Sequence, residues 1–436
     1  MRQVSKITGL FMIFLFIIFL LQPVQAENPR KVVMIVVNRV SAPQMFEEFN
    51  LKNLAKVRDT GAIGLMNLRT VGAPTPEKIC LAINAGSPVN YLNLEGGHFF
   101  APDEIYDNMQ AAVLYERNFP QKITSDNLIN PEFNLIKNQN MNGDFLVAPG
   151  LLGDSLHNAK PRLFTACWGN SDTDSLTPKR LGAIIATDGN GVVDYGKSGT
   201  GPRKGEIESF NAEAAIKWYK GISGRASFVV FDFGDFSRLD DWSSYLAPER
   251  YEQFARKACE NFDHFLGLLM AEIDFNHTLL LIVAPTPPQN LLNSAERLSP
   301  VIIKGPKFTQ GLLRSVNTRT DGLITPYNLT ATILDFLNIK ESKPVTGDPL
   351  VIKKASRQRL LKYYRTVTAI EAQRNPGLAG FVYTLVILVI FSTVLYFFGG
   401  KQTRIIYGCQ FLLLAVMVFP LALMLAAHYF PWQTGK

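Results

Sequence analysis

The chain has 436 residues, 47% of them hydrophobic and 19% charged, with a mean hydropathy of +0.07. That balance excludes an intrinsically disordered regulator, a collagen-like fibre and a small disulfide scaffold. The 44 Lys and Arg against 37 Asp and Glu leave a formal charge of +7, but no long basic run carries the excess, so nucleic acid is not an expected partner. Four cysteines in a chain this long cannot make a disulfide framework.

Residues 1–26 open with Arg2 and Lys6, continue through an apolar run at 10–21, and offer the small residues Val24 and Ala26 at the −3 and −1 positions of a cleavage site. This pattern predicts a signal peptide cut after Ala26, with an uncleaved anchor as the alternative; either sends the following residues across a membrane. Residues 27–352 are long enough for one large domain, and they show no internal repeat. Continuous apolar runs at 32–37, 182–186, 228–231, 279–283 and 301–303 predict strands buried on both faces, and therefore a mainly parallel sheet. Helical patterns fall between them at 43–57, 104–115, 211–220, 248–273 and 327–337. The alternation predicts an α/β fold, a three-layer α/β/α sandwich with its ligand-binding loops at the C-terminal ends of the strands. The Asn-rich stretch 132–144 and the Gly-rich stretch 195–205 read as loops.

Residues 353–377 are basic, and helical pattern over 356–373 makes them a juxtamembrane stalk. Two apolar stretches follow, 378–398 and 405–429, each long enough to span ~30 Å of hydrocarbon. The short 399–404 segment carries Lys401 and Arg404, which predicts a transmembrane hairpin with a cytoplasmic turn, and places the large domain and the tail at 430–436 outside the cytoplasm. The basic stalk runs against that orientation and would rest on anionic headgroups. No Asp, Glu or Lys lies inside either span; intramembrane charge marks transport paths, so the hairpin reads as a tether to the cell membrane.

Near the end of the large domain stand Ser299-Pro300-Val301-Ile302-Ile303-Lys304-Gly305-Pro306, Thr320-Asp321-Gly322-Leu323-Ile324-Thr325, Asn328-Leu329-Thr330-Ala331-Thr332-Ile333-Leu334-Asp335-Phe336-Leu337 and Gly347-Asp348-Pro349-Leu350. This succession resembles the closing module of the alkaline phosphatase superfamily, whose members include phosphatases, sulfatases, phosphodiesterases and phosphoglycerate mutases. With Asn67-Leu68-Arg69-Thr70, the segment from Phe233 to Asp240 and the apolar tail, it resembles bacterial membrane-anchored members in particular. The resemblance implies an alkaline-phosphatase-like sandwich and, for an active member, two divalent metals that polarise a phosphoryl or sulfuryl oxygen and activate a hydroxyl nucleophile.

Carried over position by position, the ligands are mostly missing. Asn38 ends the first strand where the resemblance implies Asp, and a neutral amide is a weak partner for a divalent ion. Thr75, opening the helix that begins Thr75-Pro76-Glu77, matches the nucleophile; its plain structural role is an N-cap ahead of a proline. Asp235 matches a ligand Asp, with Asp232 beside it, but Leu239 stands where the His should be. After the central strand, Ala284-Pro285-Thr286-Pro287-Pro288 replaces an Asp-His pair and leaves only the Thr286 hydroxyl. Of five histidines, His98 and His157 lie in loop-like contexts that match no ligand, and His264, His277 and His428 lie away from the implied site.

Two functional readings follow. In the first, the domain is non-catalytic and binds a cell-envelope component or a partner protein in a cleft around Asn38, Asp232, Asp235 and Thr286, with no metal or other cofactor. In the second, it is a divergent hydrolase or transferase acting on phosphate or sulfate esters of anionic envelope molecules. Thr75 would then be the nucleophile and Arg69 an anion clamp. Asp232 and Asp235 would be a residual site for Zn, Mn or Mg.

Overall fold

Along β1 (Lys31–Val36) successive side chains enter two different cores. Val32, Met34 and Val36 join one buried cluster, and Val33 and Ile35 join another, as the period of two along a strand requires. This computed structural model describes residues 29–90, 98–141, 143, 145–170, 179–199, 207–293, 296–398 and scattered positions between 407 and 421. The expected signal peptide, the 399–404 turn, the 430–436 tail and most of the second span lie outside the described residues.

The other strands of the main sheet are β2 (Ala62–Asn67), β3 (Thr165–Gly169), β4 (Tyr195–Ser198), β5 (Phe228–Asp232), β6 (Thr278–Val283), β7 (Leu298–Lys304), β8 (Gly311–Arg314), β9 (Leu323–Ile324) and β10 (Val351–Lys353). They form one ten-stranded sheet in the order β10-β8-β2-β7-β6-β1-β5-β3-β4, with β9 also on β2. The block from β6 through β1, β5 and β3 to β4 is parallel throughout, whereas β7 runs antiparallel to both of its neighbours. Helices α2 (Pro76–Ala85), α3 (Leu181–Ala186) and α7 (Pro326–Leu337) cover one face. The other face is covered by α1 (Lys52–Thr60), α4 (Ala212–Ile222), α5 (Asp235–Trp242) and α6 (Pro248–Glu272), together with the start of α8 (Arg357–Phe398). The mixed α/β fold with a large, mainly parallel sheet agrees with the sequence reading.

Several local expectations are corrected. Residues 182–186, expected as a strand, are helix α3, whose six residues are all buried; a helix apolar on every side has no periodicity to reveal it. The single helix expected at 43–57 is a π-helical turn, Gln44–Glu48, and then α1. A distant group starts α1: the carboxylate of Asp263 accepts from the N–H groups of Asn53 (2.8 Å) and Leu54 (3.0 Å). The 104–115 helix begins only at Ala111, after a hairpin of Ile105–Tyr106 with Met109–Gln110. Its turn residues Asp107 and Asn108 have φ of 51° and 61°, the left-handed pair such a turn demands. The supposed loop 132–144 contains the helix Phe133–Met141, which buries Phe133, Ile136 and Asn140. In the Gly-rich stretch, Tyr195–Ser198 is the edge strand β4.

The stalk and the first apolar stretch form the single helix α8. Its first turns pack Leu360, Leu361 and Tyr364 into the core, while farther on Val386, Ile387, Ile390 and Phe391 are exposed. Among the described residues no helix is long and apolar enough to cross a membrane.

Candidate functional site

The loops leaving the C-terminal ends of β1, β3, β5 and β6 meet above the sheet. Asn38, two residues past β1, is buried and joins three of them. Its Nδ2 donates to Ser237 Oγ (3.1 Å), and its Oδ1 accepts from the backbone N–H (3.2 Å) and the hydroxyl (2.9 Å) of the fully buried Thr286. Arg39 follows with φ of 67°, a left-handed conformation that costs a non-glycine residue roughly 1–2 kcal/mol. Three contacts hold it there: its N–H to Thr286 O (2.9 Å), Nη1 to Pro287 O (3.3 Å), and Nε beside Asp240 Oδ2 (3.3 Å). Strain concentrated at the mouth of a parallel sheet is a pointer to function.

Asp232 ends β5 almost fully buried, and its Oδ2 accepts from the N–H of Gly182 at 3.3 Å. A Cβ at Gly182 would come within 3.0 Å of Val230 and 3.1 Å of the Cys167 sulfur, so glycine permits α3 to approach β5 this closely. Asp235, at the start of α5, turns into the protein. Its Oδ1 accepts from Phe210 N (2.7 Å) and Arg238 Nη2 (2.5 Å), and its Oδ2 from Asn261 Nδ2 (2.8 Å). Burial pushes the Asp235 carboxyl above the usual carboxylate range, against the opposing pull of Arg238 and the hydrogen bonds. Arg238 also donates from Nε to Glu208 O (2.8 Å) and from Nη1 to Asn170 Oδ1. Asp235 is therefore a seat for Arg238.

Thr75 caps α2, its Oγ accepting from Lys78 N at 3.3 Å, with Pro76 in the first turn. Lys78 Nζ ties down the approach to this cap through Val71 O (3.1 Å) and Ala73 O (3.2 Å), and burial lowers its pKa. Cys80 is fully buried in the core.

Beside these groups lies a cavity of about 580 Å³. Asn38, Thr75, Asn170, Ser237 and Asp232 line it, with the cations Arg39, Lys179, Arg238 and Arg297 and the carboxylates Glu77 and Asp241. Lys179 stands 3.5 Å from Asp241, and the buried Oε2 of Glu77 has no hydrogen-bond partner among the described residues. The cavity adjoins a polar groove of about 760 Å³, which shares Asp241, Gln289 and Asn293 and adds Gln44, Ser243, Ser244 and Tyr251. Trp242 and Tyr245, which flank Ser243 and Ser244 in the chain, are 49% and 81% exposed.

Of the sequence candidates, Asn38, Thr75 and Asp232 come together on the cavity wall. Thr286 lies behind Asn38, and Asp235 lies behind Arg238. Arg69 is exposed and off the wall, its N–H bonded to Asn67 Oδ1 at 3.1 Å. Sequence reasoning missed Arg39, Glu77, Asn170, Lys179 and Arg297. Arg39 was readable as the neighbour of Asn38. Asn170 was hidden because β3, with the sequence Thr-Ala-Cys-Trp-Gly, carries too little aliphatic pattern to register as a strand.

Among the described residues no histidine lines the cavity. His157 bridges Asp194 (2.9 Å) and Asp188 (3.7 Å) elsewhere, and His264 meets Glu213 (2.8 Å) at the surface. No group of three or more His, Cys, Asp or Glu among the described residues is placed to hold a metal ion. Four cations share the cavity wall with its carboxylates, and two of the implied ligand positions, Asn38 and Asp235, are engaged in protein hydrogen bonds. This donor set does not fit a pair of divalent ions. What it can do is offer donors and acceptors in close alternation to a polar ligand.

No family model matches the chain, and no curated protein matches it. Solved structures similar to it include a protein of the alkaline phosphatase superfamily, a lipoteichoic acid synthase and an alkaline phosphatase. A protein of that superfamily from Vibrio parahaemolyticus is 12% identical with a TM-score of 0.41, over 74% of this chain and 69% of the other. The lipoteichoic acid synthase LtaP from Listeria monocytogenes is 8% identical with a TM-score of 0.40, over 75% of this chain and 74% of the other. The alkaline phosphatase from the Antarctic bacterium TAB5 is 12% identical with a TM-score of 0.36, over 72% of this chain and all of the other. Likeness at this level assigns no activity.

Proposed function

We propose that this protein is a membrane-anchored, extracytoplasmic binding protein without catalytic activity, whose cleft holds a polar component of the cell envelope or a partner protein. The observation that carries the reading is the engagement of Asn38 and Asp235. One is consumed in joining Ser237 to Thr286, the other in holding Arg238, so neither is available to a reacting group. The wall of mixed charge, which carries Arg39, Lys179 and a Glu77 oxygen without a hydrogen-bond partner among the described residues, suits a ligand that both donates and accepts hydrogen bonds. Anchoring is supported by the exposed apolar residues of α8 and by the second apolar stretch at 405–429.

A second reading, hydrolysis or transfer on a phosphate or sulfate ester, is favoured by one observation: Thr75 faces the cavity at the N-terminus of α2, where helix dipoles favour anions. The two separate in one experiment. Purified full-length protein is assayed with bis-p-nitrophenyl phosphate and p-nitrophenyl phosphate in the presence of Zn²⁺, Mn²⁺ or Mg²⁺, and its metal content is measured. The binding reading expects neither turnover nor bound metal. Stoichiometric zinc or manganese, or turnover abolished by Thr75→Ala, overturns it.

A further inference from the structure

Helix α8 crosses the flank of the domain in a definite direction, set by three contacts. Near its start, Arg357 Nη1 donates to Asp59 Oδ1 at 2.8 Å. Asp59 closes α1 just before β2 begins, at the end of the sheet where β7 finishes; Lys304 at the end of β7 reaches Thr60 there. Two turns on, the Tyr364 hydroxyl bonds Glu296 Oε1, immediately ahead of β7. Next, Arg365 Nη2 donates to Glu47 Oε2 at 2.6 Å, in the turn of helix that follows β1. Because β7 is antiparallel to β6, Glu296 and Glu47 both lie at the C-terminal end of β1 and β6. The cavity opens at this same end, and its wall includes Arg297, the residue after Glu296. Helix α8 therefore climbs from the closed pole of the sheet, passes the cavity wall and leaves from the open pole.

We infer that the cleft faces the membrane into which α8 runs, and that its ligand is the extended polar headgroup of a molecule attached to that membrane. The inference rests on the anchoring reading above and adds to it a direction and a ligand class. From Arg365 to Ala379, where the exposed apolar stretch of α8 begins, the helix rises roughly 20 Å at ~1.5 Å per residue. A bare phospholipid headgroup falls short of that height. A headgroup extended by several polar units spans it, and such a chain can run along the groove of amides, hydroxyls and carboxylates that adjoins the cavity.

The test measures energy transfer from the full-length chain to headgroup-labelled rhodamine lipid, in vesicles of phosphatidylethanolamine and phosphatidylglycerol. Cys259 and Cys409 are replaced by serine, and a donor dye is placed on Ser244→Cys at the groove or on Thr309→Cys in the turn between β7 and β8. Both positions are exposed, and a six-residue strand alone separates the two poles by ~20 Å. Flotation of the vesicles reports anchoring independently. Co-flotation with transfer about twofold or more higher from position 244 is the expected result. Co-flotation with equal or greater transfer from position 309 overturns the orientation and leaves the anchoring reading intact. Failure to float with the vesicles overturns both.

Discussion

The guanidinium of Arg238 sits on the carboxylate of Asp235, three residues back along the same helix, at 2.5 Å, with both side chains at least nine-tenths buried. A buried pair is costly to break from one side, because the surviving charge keeps its desolvation penalty and loses its partner. Arg238→Met should destabilise the domain by about 3–5 kcal/mol in urea unfolding. The double variant Asp235→Asn, Arg238→Met should recover most of that loss. A single variant that behaves like an ordinary surface substitution would contradict this account.

Thr286→Val keeps the side-chain shape but removes the hydroxyl that donates to Asn38 Oδ1. Losing one buried hydrogen bond should cost about 1–3 kcal/mol. The backbone N–H of Thr286 still reaches Asn38, so the loss should fall toward the lower end. Denaturant midpoints for Thr286→Val and Thr286→Ser give the comparison, with the serine variant close to wild type.

Thr75→Ala removes the cap of α2 and should lower stability by about 0.5–2 kcal/mol, whereas Thr75→Ser should retain most of it. The same pair serves the functional question. If the cap is the residue's whole task, the alanine variant binds envelope components as wild type does once folded.

Acid sensitivity should report the His157–Asp194 contact. Burial raises the pKa of the Asp194 carboxyl, but the hydrogen bond and charge of His157, with the N–H and hydroxyl of Thr165, outweigh it and hold the value below the ordinary one. The unfolded chain thus binds more protons than the folded one in this range, so the contribution is fully present above the unfolded pKa near 3.9 and is lost as pH falls through the folded value. Asp194→Asn should flatten the fall in unfolding free energy below about pH 4, measured by urea titration across pH. Asp188, Asp235 and Asp240 shift upward through burial and contribute slopes of opposite sign, which makes the difference between variant and wild type the quantity to read.

Cys80 and Cys167 are buried free thiols, and burial pushes both well above the usual thiol range. A thiolate is the reactive form. Neither should react with a maleimide in the native protein at pH 7, and both should react after unfolding in guanidinium, as counted by mass spectrometry. Native labelling at either would place it in an open environment.

Strands β1, β5, β6 and β7 were legible because long aliphatic runs have one economical fate, burial on both faces of a sheet, and that follows from composition alone. The strand ends carrying Asn38, Asp232 and Thr286 came with them; Asn38 and Asp232 line the cavity, and Thr286 stands behind Asn38. Helix α3 was misassigned because its apolar run is as continuous as a strand's, and only its packing between α2 and the sheet distinguishes the two. Asp235 shows the other limit. Its position by residue count matches a cleft ligand, yet which way its side chain turns depends on Arg238, Asn261 and the backbone of Phe210, partners up to 26 residues away. Lys179 lines the cavity and Arg69 does not, for the same reason: a cation's reach to a cavity depends on how loops close. Local chemistry thus settled which segments would be buried and where the strands would end. Charge partnerships and the direction in which α8 leaves the domain required the folded chain, because hydrogen bonding and ion pairing act over a few ångströms between residues the sequence sets far apart.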